Sequence, residues 1–133
     1  MGLFQGKRPN DLGVRNGRLK PAPSTPNAVS SQATDGSHAI TPLQYKGPRE
    51  AAMRALATIV RGMPRATITT QTTEYLYAEY QTALLGFVND VEFWFPPEDG
   101  IIHVRSASRL GSSDFGVNRK RIEEIRARLA TGA

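Results

Sequence analysis

The stretch from Ala66 to Ser108 constrains the fold more than any other part of the chain. It holds four segments of strand character: Ala66-Thr-Ile-Thr-Thr-Gln-Thr, Glu74 to Thr82, Val88 to Phe95 and Ile101 to Ser108. β-Branched and aromatic residues are frequent in them, and Pro96-Pro97-Glu98-Asp99-Gly100 is a turn by composition. A parallel pair needs a crossover of about a dozen residues or more, so these closely spaced strands run antiparallel. Alternation sets Leu76, Ala78 and Tyr80 against Tyr75, Tyr77 and Glu79, and Val91, Phe93 and Phe95 against Glu92 and Trp94.

Helical periodicity flanks the strands. Gly47-Pro48 opens a helix whose apolar stripe is Ala52, Leu56, Ile59, Val60 and Met63, with Gly62 and Pro64 as stops. A closing helix begins near Asp114–Gly116, capped by Ser113 or Asp114, and runs to about Ala130. Its stripe is Ile122, Ile125 and Leu129, with Asn118 one turn earlier on that face. The order helix, strands, helix predicts an α+β domain: a four- to five-stranded antiparallel sheet with two helices packed on one face. Ile40 to Tyr45 is a short strand or extended approach, confined to an edge by Pro42.

Residues 1–38 have little periodicity and read as a long irregular arm packed on the domain formed by residues 39–133. Within the arm, Asn16-Gly17 marks a tight turn and Pro21 to Pro26 an extended run. The chain's length of 133 residues suits one domain with its own core, and no apolar run is long enough to span a membrane as a helix. The start has no apolar leader, so the sequence as written reads as cytoplasmic; a removed leader would make it periplasmic or envelope-associated. Absence of cysteine excludes disulfides, thiolate zinc sites and cysteine nucleophiles.

The net charge of +5 gathers at the two ends, but Glu123 and Glu124 interrupt the later cluster, which disfavours nucleic acid as a partner. Candidate chemistry concentrates where the last strand runs into the closing helix. Arg105, Arg109, Asp114, Asn118 and Arg119 fall there, joined by Asn27 and Ser30 of the arm. A helix N-terminus with arginines beside it suits a phosphate or carboxylate. The same residues also serve a structural purpose, since a long irregular arm has many backbone groups to satisfy. His38 and His103 lack ligand spacing, so no metal or cofactor is expected, and no serine sits in a nucleophile elbow. Tyr75, Tyr77, Tyr80 and Trp94 either line a cavity between sheet and helices or pack as core and cross-strand pairs.

Several blocks carry a likeness to a known family: Gly-Lys-Arg-Pro-Asn-Asp-Leu-Gly-Val at 6–14, Pro-Asn-Ala-Val-Ser-Ser-Gln-Ala at 26–33 and Ile-Thr-Pro-Leu at 40–43. Phe-Trp-Phe at 93–95, Arg-Ser-Ala-Ser-Arg at 105–109 and Asp-Phe-Gly-Val-Asn-Arg-Lys-Arg-Ile-Glu at 114–123 continue it. Through nearly its whole length the chain resembles the bacterial and plastid family called domain of unknown function 1499. The resemblance implies that the arm belongs to the domain, that the setting is the cell envelope, and no established activity. Many relatives carry cysteines flanking the Pro-Asn segment, where this chain has Ala22 and Ala28.

The resulting expectation is a non-catalytic, envelope-associated domain, monomer or weak dimer, that binds a small anionic or amphipathic ligand or a partner protein near residues 105–119. Two alternatives stand beside it. One is a small-molecule enzyme in which Arg105 and Arg109 orient an anion while His103, Glu79 or Asp114 moves a proton. The other is weak binding of nucleic acid or anionic lipid by the basic ends.

Overall fold

The computed structural model describes residues 5–111 and 113–131. Expectations for the first four residues and for Ser112 lie outside that range. The elements are β1 (Ala28–Ser30), β2 (Leu43–Gln44), α1 (Arg49–Arg61), β3 (Ala66–Gln71), β4 (Tyr75–Gln81), β5 (Val88–Trp94), β6 (Ile101–Ser108) and α2 (Val117–Ala130). Strands run antiparallel in the order β1-β6-β5-β4-β3, and β2 also pairs with β6. The α+β fold is as expected, but the sheet has six strands rather than four to five.

The extra strand comes from the presumed arm. Ala28, Val29 and Ser30 pair with Ala107, Ser106 and Arg105, while Leu43 and Gln44 pair with Ile102 and Ile101. Ser31 bridges the gap, its backbone N–H donating to Val104 O at 2.9 Å and its Oγ accepting from Val104 N at 2.8 Å. The outer edge of β6 is thereby covered over most of its length. Such short pieces carry no period of their own, which is why β1 reads as arm and β2 is shorter than the approach expected from Ile40 to Tyr45.

Both helices pack on one face. Leu56 and Val60 of α1, and Ile122 and Ile125 of α2, join Leu76, Ala78, Val91, Phe93, Phe95, Ile102 and Val104 in one buried cluster. Tyr80 lies on this side with the Arg121 guanidinium 4.5 Å from its ring centre, and burial pushes its hydroxyl pKa up to about 12. Tyr75, Tyr77 and Trp94 lie on the opposite side, so the four aromatics do not share a cavity between sheet and helices.

That opposite side is covered by the arm. At its tip Arg15 and Arg18 exchange backbone hydrogen bonds of 2.9 and 3.1 Å around Asn16 (φ 55°) and Gly17 (φ 72°), the tight turn expected of Asn-Gly. Six of the seven β5 residues are buried, leaving only Trp94 half-buried. Asp90 and Glu92, which alternation places on a polar face, are therefore interior residues.

Candidate functional site

The arm-covered face is built from charges. β4, β5 and β6 set Tyr77 opposite Glu92, Glu79 opposite Asp90, and Glu92 opposite Arg105. Cross-strand neighbours on one face lie within side-chain reach, and here they assemble two linked ion clusters. In the first, Arg109 grips Asp90 through Nε at 2.9 Å and Nη2 at 2.8 Å, and the same guanidinium also meets Glu79. Tyr77 donates its hydroxyl to Asp90 at 2.5 Å, and Arg8 of the arm reaches Glu79 at 2.6 Å. Carboxylate partners raise the Arg109 pKa, hydrogen bonds to Asp90 first among them, while the Arg8 hydrogen bond leads in lowering that of Glu79.

The second cluster centres on Glu92, which has no solvent exposure. Its Oε2 accepts from Gly13 N at 2.7 Å and from the Tyr75 hydroxyl at 2.6 Å. Its Oε1 lies 4.0 Å from Arg105 Nη1, and among the described residues it has no hydrogen-bond partner. Burial raises the Glu92 pKa and lowers that of Arg105. Arg105 Nη2 in turn donates to the Pro21 carbonyl of the arm at 3.3 Å.

On the helix side Asn118 ties three segments together. It accepts from Ser106 Oγ at 2.7 Å, and its Nδ2 faces Asn27 O at 3.1 Å, Ser108 Oγ at 3.0 Å and Asp114 Oδ2 at 2.8 Å. Asp114 caps α2 from outside the helix, taking Gly116 N at 2.9 Å and Asn118 N at 3.2 Å. α2 therefore starts at Val117, slightly later than its sequence suggests, because the cap is a turn held by Asp114. Hydrogen bonds to Asn118 and to backbone N–H groups hold the Asp114 carboxyl below its usual range against burial.

The seven candidate residues thus do not converge on one pocket. Odd-numbered Arg105 points to the arm, with Arg109 on that side beyond the strand end, and both are committed to acids or carbonyls. Asp114 and Asn118 lie on the helix side with the Asn27 backbone. Asn27 also donates its side-chain amide to Gly111 O at 2.8 Å. Ser30 is buried, its Oγ accepting from Gln32 N at 3.2 Å. Arg119 donates to Ser37 O at 3.4 Å. His103 contacts Ser31 Oγ at 3.0 Å and stacks on Trp94. His38 faces acceptors with both ring nitrogens, Asp35 Oδ2 at 2.6 Å and Thr25 O at 2.8 Å.

Two hollows bear on binding. One, of about 310 Å³, lies in the arm and is lined by Asp11, Gly13, Arg15, Arg18, Lys20 and Pro21 among others. Its cations make few commitments: Arg15 to Asp11 O, Arg18 to Gln32 O, and Lys20 to Asp11 Oδ1 at 2.9 Å. The other, a cleft of about 980 Å³ between β2 and α2, combines Tyr45, Leu129 and Ala130 with Lys46, Glu123 and Arg126. Arg126 is spent there on Thr41 O, Pro42 O and Glu123. His103, Glu79 and Asp114 line neither hollow.

Sequence reasoning missed Asp90 as a partner of Arg109, and the gathering of Arg15, Arg18 and Lys20, which it counted only among the basic residues of the N-terminal end, around one hollow. The first was detectable, because Asp90 and Glu92 share a strand face with Glu79 and lie one strand from Arg105. The second depends on a turn that carries no side-chain period. The family model described as Protein of unknown function (DUF1499) matches residues 18–129. No curated protein matches the chain.

Proposed function

The chain belongs to the DUF1499 family, and we propose, as our own reading of its geometry, that it is a non-catalytic domain binding a small anion in the hollow of the arm. One observation carries this reading. Arg15, Arg18 and Lys20 converge on a hollow of about 310 Å³ in which, among the described residues, Asp11 is the one carboxylate. Each arginine spends one donor on a backbone carbonyl, so the rest of each planar fork faces the hollow or solvent. Arg105 reaches Pro21 in the wall of the hollow, and its acid partner Glu92 stands 4.0 Å away without a hydrogen bond between them. A phosphate or carboxylate there meets a net positive field. Two of the groups an enzyme would use are engaged elsewhere and do not line the hollow: Glu79 with Arg8 and Arg109, and Asp114 with the turn before α2.

The cleft between β2 and α2 supports a second reading, an amphipathic anion with its chain against Tyr45 and Leu129 and its head at Lys46. Thermal unfolding with inorganic phosphate, against chloride at equal ionic strength, separates the two. A rise in Tm that the Arg15→Ala/Arg18→Ala variant loses and Lys46→Ala keeps supports the arm hollow. The reverse pattern moves the site to the cleft, and an unchanged rise in both variants sinks both readings.

A further inference from the structure

The described residues include five large apolar side chains that are exposed: Leu84, Leu85, Leu110, Phe115 and Val117. All five lie beyond the same end of the sheet. Gln81 pairs with Val88, and Arg109 N donates to Val88 O at 3.2 Å, so the β4–β5 turn and the β6–α2 turn leave the sheet side by side. Leu84 and Leu85 sit on the first turn; Leu110, Phe115 and Val117 sit on or just after the second.

Phe115 shows that this exposure is constructed. It is 96% exposed and has φ of 51°, a left-handed backbone unfavourable for an aromatic residue. Gly116 follows at φ of 82°, and Asp114 fixes the turn by accepting from Gly116 N and Asn118 N. The cap that starts α2 therefore also drives a phenyl ring into solvent. Strain of this kind persists only where surrounding structure enforces it.

Cations surround the apolar tips. Lys7 follows Gly6, which packs against Leu110. Arg65 donates to Gln81 O at the base of the β4–β5 turn, and exposed Lys120 lies in the first turn of α2. The nearby acids are already engaged, Glu79 with Arg8 and Arg109, Asp90 with Arg109, and Asp114 with backbone N–H groups at the start of α2. A protein groove usually meets a continuous apolar face, whereas separate apolar tips on turns, beside cations that have no ion pair among the described residues, suit insertion between anionic headgroups.

We infer that this end of the sheet docks on an anionic lipid bilayer, with Leu84, Leu85, Leu110 and Phe115 entering the headgroup boundary and Lys7, Arg65 and Lys120 above it. The contact is independent of the anion hollow in the arm. Co-sedimentation with vesicles of phosphatidylglycerol mixed into phosphatidylcholine, against phosphatidylcholine alone, provides the test. The wild-type chain is expected to sediment only with the anionic vesicles, less so at high salt. Leu84→Ser/Phe115→Ser is expected to bind about tenfold more weakly. Leu84 is 90% exposed, so this variant keeps the core intact, and an unchanged unfolding transition verifies it. Failure of the wild-type chain to bind, equal binding by the variant, or equal binding to both vesicle types overturns the proposal. So does self-association abolished by Phe115→Ser in a chain that ignores vesicles.

Discussion

The two faces of this sheet are closed by opposite chemistries. Against the helices, Leu76, Val91, Phe93, Ile102 and Val104 meet Leu56, Val60, Ile122 and Ile125, and the gain follows apolar area at about 25 cal/mol per Å². Against the arm, alternate residues of the same strands present Tyr77, Glu79, Asp90, Glu92, Arg105 and Arg109. There the arm brings Arg8 and the Gly13 N–H, and holds on through directed bonds. Hydrocarbon tolerates repacking, whereas a buried charge stripped of its partner has nowhere to go. A polar strand face is thus no proof of a wet one.

The sharpest way to break this contrast is Arg109→Ala. It strands Asp90, which is 2% exposed, and should cost about 3–5 kcal/mol in urea denaturation. Phe93→Ala on the hydrocarbon face should cost a similar amount, about 3–5 kcal/mol. A cost under about 1 kcal/mol for Arg109→Ala would show that the arm is a coat and not a second core. Asn118→Ala tests the helix side of the same attachment. It removes one partner each from Ser106 Oγ and Asn27 O, which keep Arg121 Nη1 and Ser108 N, and should cost about 1–3 kcal/mol.

The smallest effect concerns His38, whose pKa is raised by its contact with Thr25 O and then by Asp35. A raised folded value means the stabilisation is complete below the unfolded value of about 6.5 and is lost as pH rises through the folded value. Stability should therefore fall across that window, and His38→Gln should flatten the profile. A wild-type profile that stays flat as pH rises from about 6.5 would refute the charged pair.

The helix-covered half was legible in the sequence because hydrocarbon leaves a period. The stripes of α1 and α2, the strand faces and the inward turn of Asn118 all follow from spacing alone. The arm-covered half was hidden because its partners are single residues far apart in the chain, such as Arg8 with Glu79 and Gly13 with Glu92. Grouping Arg105, Arg109, Asp114 and Asn118 by proximity in sequence failed for a simple reason. Strand alternation sends Arg105 to one face, with Arg109 held to Asp90 there, while helical phase sends Asn118 to the other.

The pairing of β1 with β6 also fixes an order of events. Ala28 meets Ala107, and the Asn27 carbonyl meets Asn118, so in a chain emerging from the ribosome β1 has no strand to pair with until β6 has been made. Contacts that close so long a loop form slowly. Amides of the arm should gain protection last in pulsed hydrogen exchange during refolding, and protection there before β5 and β6 would reverse that order. Until then Asp90 and Glu92 are simply the wet side of a half-built sheet, and the nascent domain carries its future interior charges in plain solvent.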